Sequence, residues 1–258
     1  MTAPRRVDVL GSRISAVNAK EALALIRERL RDGRGGYVCF TNVHTAVVGR
    51  QDANLRAVTN GSFLSVADGK PVYWIARSRG AVGHVPGPDF MTLALDQCRG
   101  ARHFFYGSTT EVLERLSTQL RDDFPGLNIC GSFSPPFREL TAHEKQQHYK
   151  LIAVARPDFI WVGLGAPKQE LWMAGACESL RPSVLLGVGA AFDLHAQVVS
   201  RAPVAMRAMG LEWLFRLMSQ PRRLWRRYLV TNSLFLVYLA QEAITGTGHR
   251  DEAGPGSH

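Results

Sequence analysis

Short apolar runs alternate with amphipathic stretches along this chain, and turn residues separate them. Seven runs read as strands: Val7–Val9, Tyr37–Asn42, Phe63–Val66, His103–Gly107, Leu127–Cys130, Asp158–Gly165 and Ser183–Asp193. Between them, Asn18–Arg31 carries Ala22, Leu23, Ile26 and Leu30 on one helical face. A second helix follows from His44, and Pro71 can start a third through VYWIARS. Ser108 or Thr109 can cap EVLERLSTQLRDDF, and two more helices run over Thr141–Ala155 and from near Pro167. This alternation predicts an α/β fold, a mostly parallel sheet with flanking crossover helices. Several strands run into polar or glycine-rich residues, where open α/β sheets bind ligands. Gly80–Asp89 is rich in Gly and Pro and reads as a loop, as does the GSFSPPF stretch after Cys130.

At 258 residues and 46% hydrophobic content, the chain has material for one large α/β core, which we set at residues 1–200. The polar, Gly-rich tail 246–258 is expected to be disordered. Between them lies an appendage, 201–245, that changes the picture. Arg201–Tyr228 holds seven arginines and one acid, so it carries +6 of the chain's formal +9. Of 31 basic residues only five are lysine, and arginine gives the planar, bidentate recognition of phosphate that lysine lacks. Trp213, Phe215, Trp225 and Tyr228 interleave with these arginines. Nucleic acid, an anionic membrane and a nucleotide-sugar diphosphate all fit that chemistry. Cys39, Cys98, Cys130 and Cys177 show no metal-ligand spacing and read as buried thiols of a reducing cytoplasm. No secretory signal is visible at the N-terminus, and the apolar run Leu234–Ala240 falls far short of the roughly 20 residues of a spanning helix, so membrane association is expected to be peripheral.

Several residues can carry chemistry, each beside a plainer reading. Asp68 ends a strand ahead of a helix, where it can act as a general base or simply cap the helix. Asn42 and His44 can hold a sugar hydroxyl and a proton or phosphate, or serve as a cap and a half-buried ring. In GLGAPKQE, two glycines precede Lys168, Gln169 and Glu170, whose first-turn N–H groups favour anions. Gly187-x-Gly189 is a weak dinucleotide signal because Phe192 occupies the third glycine position, which argues against an oxidoreductase. His84 and Asp89 lie on a candidate lid, although Asp89 can equally cap the following helix. No Asp-x-Asp pair is present to hold a metal ion through phosphates, so cationic side chains are expected to take that part, with no metal or cofactor.

Seven motifs occur in order: NVHT (42–45), ADGKPVYW (67–74), VPGPDFM (85–91), GLGAPKQELW (163–172), GVGAAFD (187–193), RAP (201–203) and GLEWLFRL…PRRLWRRYL (210–229). Together they resemble the WecG/TagA/CpsF glycosyltransferases, bacterial enzymes of surface-polysaccharide and wall-polymer assembly, over about Val7–Ala243. The resemblance implies a Rossmann-like core and a C-terminal appendage that completes the site on the inner face of the cell membrane. It implies metal-independent, inverting transfer of an N-acetylmannosamine-type sugar from a UDP-sugar to an undecaprenyl-diphosphate-linked sugar. Asp68 matches the family's proposed catalytic base, Asn42 and Gln169 match sugar and nucleotide-sugar contacts, and the remaining substrate contacts are expected from His44, His84, Asp89, Lys168 and Glu170. Arg201, Arg207 and Arg216 are the candidates to meet the diphosphate. Arg222, Arg223, Trp225, Arg226 and Arg227 are expected to form a cationic face toward an anionic membrane surface or the lipid diphosphate.

Three positions depart from the family pattern. Phe40 stands where a threonine is usual, so its hydroxyl is lost or supplied by Thr41. His84 replaces a common arginine, which makes phosphate stabilisation there pH-sensitive or moves it to another arginine, and Gln197 replaces a common glycine. Nucleic-acid binding is the competing reading, but the basic stretch lacks a recognised motif and the glycine-rich strand ends go unexplained by it. Apolar positions around the appendage make self-association an expectation.

Overall fold

A computed structural model describes residues 4–81 and 83–245 of the chain, without the side chain of Arg223. The tail expected to be disordered, 246–258, lies outside the described residues. The chain opens with β1 (Arg6–Val9) and β2 (Ser12–Ser15), then α1 (Ala19–Arg31), β3 (Gly36–Thr41), α2 (Val43–Gln51), α3 (Ala53–Gly61), β4 (Leu64–Ala67) and α4 (Lys70–Ser78). Next come α5 (Gly87–Gln97), β5 (His103–Gly107), α6 (Thr110–Asp123), β6 (Ile129–Phe133), α7 (Ala142–Val154), β7 (Phe159–Gly163), α8 (Lys168–Ala176) and β8 (Val184–Gly187). Four helices close the chain: α9 (Ala191–His195), α10 (Val204–Ala208), α11 (Glu212–Ser219) and α12 (Pro221–Thr245).

Six strands form one parallel sheet in the order β4-β3-β8-β7-β5-β6. Helices cover both faces, so strand side chains are buried on both sides rather than alternating with water. Period 2 sorts them. Val38, Phe40, Phe105, Phe159, Trp161, Val184 and Leu186 face α1, α5 and α6, while Tyr37, Cys39, Phe104, Tyr106, Ile160, Val162 and Leu185 face α7 and α8.

The structure departs from the sequence expectations at five places, each with a local cause. The strand expected over Ser183–Asp193 ends at Gly187, and after the left-handed Gly189 (φ 54°) residues Ala191–His195 form α9. The single strand expected at Val7–Val9 is half of an antiparallel hairpin. Its turn, Leu10-Gly11, is left-handed at both residues (φ 55° and 86°), and the Asp8 carboxylate accepts from the Gly11 N–H at 2.9 Å. The helix from His44 breaks at Asp52, which caps α3 by accepting from the N–H groups of Asn54 and Leu55. β6 continues to Phe133, through residues expected as loop. Gly131 serves close packing there, since a Cβ on it would lie 2.6 Å from the Phe104 ring. α5 starts at Gly87, so Asp89 sits inside its first turn and is not its cap.

α12 packs through Phe235 into an apolar cluster formed with the hairpin, α2 and α4. Its far end is clasped. Glu242, 7% exposed, receives Arg79 at 3.0 Å and Arg50 at 3.4 Å, and Gln51 donates to the Tyr238 hydroxyl at 3.0 Å. Among the described residues no helix is long and apolar enough to cross a membrane.

Candidate active site

The ends of β3, β4, β5, β7 and β8 open together into a cavity of about 1360 Å³, roofed by α10, α11 and α12 as far as Leu239. Glycine makes its floor possible. Gly107, at φ +123°, lies so close to the end of β7 that an added Cβ would stand 2.6 Å from the Gly163 carbonyl carbon, and a Cβ on Gly163 would strike the Phe192 ring. Strand connections leave β5 and β7 in opposite directions, β5 outward to β6 and β7 inward to β8. That divergence is the crevice in which open α/β sheets seat nucleotides. Ser108 lines it in a left-handed conformation (φ 58°), its N–H on the Gly163 carbonyl at 3.1 Å.

Asp68 follows β4 on the cavity floor. Its Oδ1 accepts from the Gly87 N–H at 2.8 Å and its Oδ2 from Asn42 Nδ2 at 3.3 Å. Capping of α4 is therefore not its task; Gly69 stands at that cap without a side chain. Protein crowds Asp68 on most sides, and this desolvation pushes its carboxyl above the usual range, against the pull of these hydrogen bonds and of Arg216. Asn42 caps α2, taking the Thr45 N–H on Oδ1, which fixes the amide so that its N–H₂ faces Asp68.

The two histidines are neutral groups here. His84 holds the Asp68 backbone carbonyl at 2.7 Å through Nε2, which must donate, and burial followed by Lys70 lowers its pKa. It therefore stays uncharged at neutral pH and works as a strut under Asp68, not as a phosphate-binding cation. His44 is likewise lowered, by burial and then by Arg227, and its buried Nδ1 has no protein partner. Phe40 lines the cavity and packs on Phe90 at 5.5 Å. Thr41 points to the opposite face, its hydroxyl locked to Ser65 at 2.8 Å, so it does not supply the hydroxyl that Phe40 lacks.

The PKQE turn divides its labour. Lys168 is exposed and off the cavity wall, whereas Gln169 lines the cavity and is 4% exposed. Its Nε2 donates to the Gly187 carbonyl at 2.7 Å and to Glu170 Oε1 at 3.0 Å, leaving Oε1 without a protein partner. Glu170 is 1% exposed behind it and does not line the cavity; burial pushes its carboxyl up. The amide is thus oriented by Glu170, which positions Gln169 and does not itself reach a substrate.

Cations line the opposite wall. Arg201 pairs with Asp89 at 2.6 Å and Arg207 reaches the same oxygen at 3.9 Å, and Arg216 also lines the cavity. Arg227 differs from the expected surface face, since it lines the cavity and stacks over the Tyr228 ring at 5.3 Å. The Nε groups of Arg201, Arg207 and Arg227 are buried without a protein partner. On the outer side, Arg222, Trp225 and Arg226 are exposed, with Arg226 over the Trp225 ring at 5.3 Å. The Arg223 side chain lies outside the described residues.

Sequence reasoning missed Ser108, Lys70 and Glu212 as cavity-lining groups. Glu212 had a visible signal as the lone acid in the basic stretch. It is half-buried, and burial raises its pKa while Arg201 and Arg216 draw it down. Ser108 was read only as a possible helix cap; nothing local marks its left-handed backbone.

The chain is similar to the N-acetylglucosaminyldiphosphoundecaprenol N-acetyl-beta-D-mannosaminyltransferase of Bacillus spizizenii, 27% identical over 224 residues that cover 85% of each chain. The model of the glycosyl transferase WecG/TagA/CpsF family matches residues 7–248. With its six-stranded parallel sheet, its glycine-lined crevice and the seven motifs gathered on one cavity, the chain belongs to that family of glycosyltransferases.

Proposed function

We propose that this glycosyltransferase moves an N-acetylmannosamine-type sugar from a UDP-sugar to an N-acetylglucosamine carried on undecaprenyl diphosphate, with inversion, in surface or exopolysaccharide assembly. One observation carries the reading: a desolvated carboxylate at the end of β4, Asp68, faces a wall of arginines across one cavity. In the reaction, the Asp68 carboxylate takes the proton of the acceptor hydroxyl as that oxygen bonds to the donor's anomeric carbon. The bond from that carbon to the UDP β-phosphate breaks, and UDP leaves with the electron pair. Arg201, Arg207 and Arg216 are the preorganised donors assigned to the growing negative charge. Asp89 holds the first two in place until phosphate competes for them.

The uridine end of the donor is assigned to the β5/β7 crevice, beside Ser108 and Gly165, and Gln169 presents its carbonyl oxygen to an N–H or O–H of the ligand. Arg222, Trp225 and Arg226 make a peripheral contact with anionic lipid, worth about 1 kcal/mol per basic residue near the surface. The test is UDP release from a panel of UDP-sugars with a short polyprenyl-diphosphate-linked N-acetylglucosamine. Release with a UDP-N-acetylhexosamine, dependent on acceptor, is expected. Acceptor-independent hydrolysis, or silence with the whole panel, overturns the proposal.

A further inference from the structure

The cavity is larger than the roughly 300–1000 Å³ of a single small-ligand site, and its lining is not uniform. Beyond Lys70 and Arg227, the polar centre gives way to Trp74 and Ile75 on α4 and to Phe235, Leu236 and Leu239 on α12. On α12 the lining runs from Leu224 to Leu239; from Tyr228 to Leu239, past Thr231 and Asn232 to the apolar Phe235, Leu236 and Leu239, it covers roughly 16 Å of helix. Trp74 is built into this slot. Its ring lies so near Gly210 that a Cβ there would stand 2.9 Å away, yet half of the side chain remains exposed. Leu236 is 68% exposed at the lip, and Leu229, Val230 and Val237 continue the apolar surface outward along α12.

Resting on the acceptor class proposed above, we infer that this α4/α12 groove binds the first isoprene units of the acceptor's polyprenyl chain. The argument is one of continuity. Lys70 and Arg227 flank the inner end, where a diphosphate would sit, and the apolar slot starts there and opens to the surface. A ligand with an anionic head and an apolar tail matches that order of groups, whereas a nucleotide or sugar leaves the slot unfilled. At roughly 5 Å per isoprene unit, four carbon–carbon bonds, the slot takes about three.

The experiment measures binding of inorganic diphosphate, geranyl diphosphate, farnesyl diphosphate and a pentaprenyl diphosphate to the full chain by calorimetry, below their micelle concentrations. Affinity is expected to rise by about tenfold or more per isoprene unit up to the third and then level off. Trp74→Ser should flatten that rise, and Leu236→Ser, at an exposed position, should weaken it should the first variant misfold. Equal affinity for diphosphate and farnesyl diphosphate overturns the inference, as does an undiminished rise in both folded variants. Concentration-dependent dimerisation abolished by Leu236→Ser, without any length dependence, overturns it in favour of a second copy of the chain in the groove. None of these readouts requires sugar transfer, so failure of transfer counts against the proposed reaction and failure of the length dependence against the groove.

Discussion

Replacing Asp68 by an asparagine separates two effects that the structure assigns to one carboxylate. The amide of Asp68→Asn keeps an oxygen for the Gly87 N–H but cannot take a proton from an acceptor hydroxyl. Loss of a positioned general base costs about 10²–10⁴ in rate, equivalent to about 3–5 kcal/mol of barrier. Turnover of Asp68→Asn should fall by that factor, with the Kd for UDP little changed. Stability should move the other way. Because burial raises the Asp68 pKa in the folded state, the wild-type chain loses stability as pH rises through that value and the carboxylate must ionise in a crowded cavity. The neutral amide escapes this loss, at the cost of facing the Asn42 N–H₂ with its own, a mismatch of about 1–3 kcal/mol. That mismatch does not depend on pH, so the difference in melting temperature, variant minus wild type, should increase from pH 4 to pH 8. The wild-type pH–rate profile should have its acidic limb above the ordinary aspartate range for the same reason. UDP release under saturating donor, together with thermal melts across that pH range, reads all three. Wild-type turnover in Asp68→Asn would remove the base from the mechanism, and a melting difference that shrinks as pH rises would refute the desolvation argument.

Four further outcomes follow from named contacts. Glu170→Leu should leave one N–H of the Gln169 amide unpaired, with Gly187 alone holding it, and lower kcat/KM about 10–100-fold, from the 1–3 kcal/mol of a buried unpaired donor, while Glu170→Gln, which still offers an oxygen to Nε2, should restore most of it. Gly107→Ala should lower Tm, because both φ +123° and the 2.6 Å approach to Gly163 oppose a Cβ; the cost is about 2–3 kcal/mol, measured by denaturant unfolding. Gln197→Gly should instead stabilise by up to about 1 kcal/mol, raising Tm by about 2–4 °C, since Gln197 is exposed and left-handed at φ 54°. Glu242→Ala should leave Arg79 with Asp8 alone and Arg50 with the Tyr238 ring alone and cost about 1–3 kcal/mol, discounted from a fully buried pair because Arg50 keeps 31% of its side chain in solvent; limited proteolysis of α12 should speed up in parallel.

The core was legible because its signals are periodic. His103–Gly107 is a strand over just the residues its apolar run marks, and Asn18 and Thr141 close capping boxes where their sequences announce them. The hairpin escaped because four-residue strands offer too few alternations to register, and β6 because Gly131 makes room for a ring instead of a turn. Gln197 becomes readable in three dimensions: its backbone is left-handed, φ 54°, a conformation that glycine adopts without strain and a glutamine does not. Asp68, Asn42 and Gln169 were located by motif, yet their division of labour was not. Strand parity decides that Phe40 faces the cavity and Thr41 does not, and helical phase decides that Arg227 turns inward while Arg226 turns out. The roles of Gln169 and His84 depend on partners 18 and 16 residues away, Gly187 and Asp68, which no local pattern displays.

The clasp at Glu242 makes α12 a lever. Fifteen residues separate it from Arg227, roughly 22 Å along a helix, so a tilt of about 10° at the clasp sweeps the guanidinium by about 4 Å. That distance separates a hydrogen bond from a gap. Residues 50, 79 and 242 touch no substrate, yet the placement of cationic charge over Asp68 is set by how firmly they hold, and damage there would reach the reaction as misalignment.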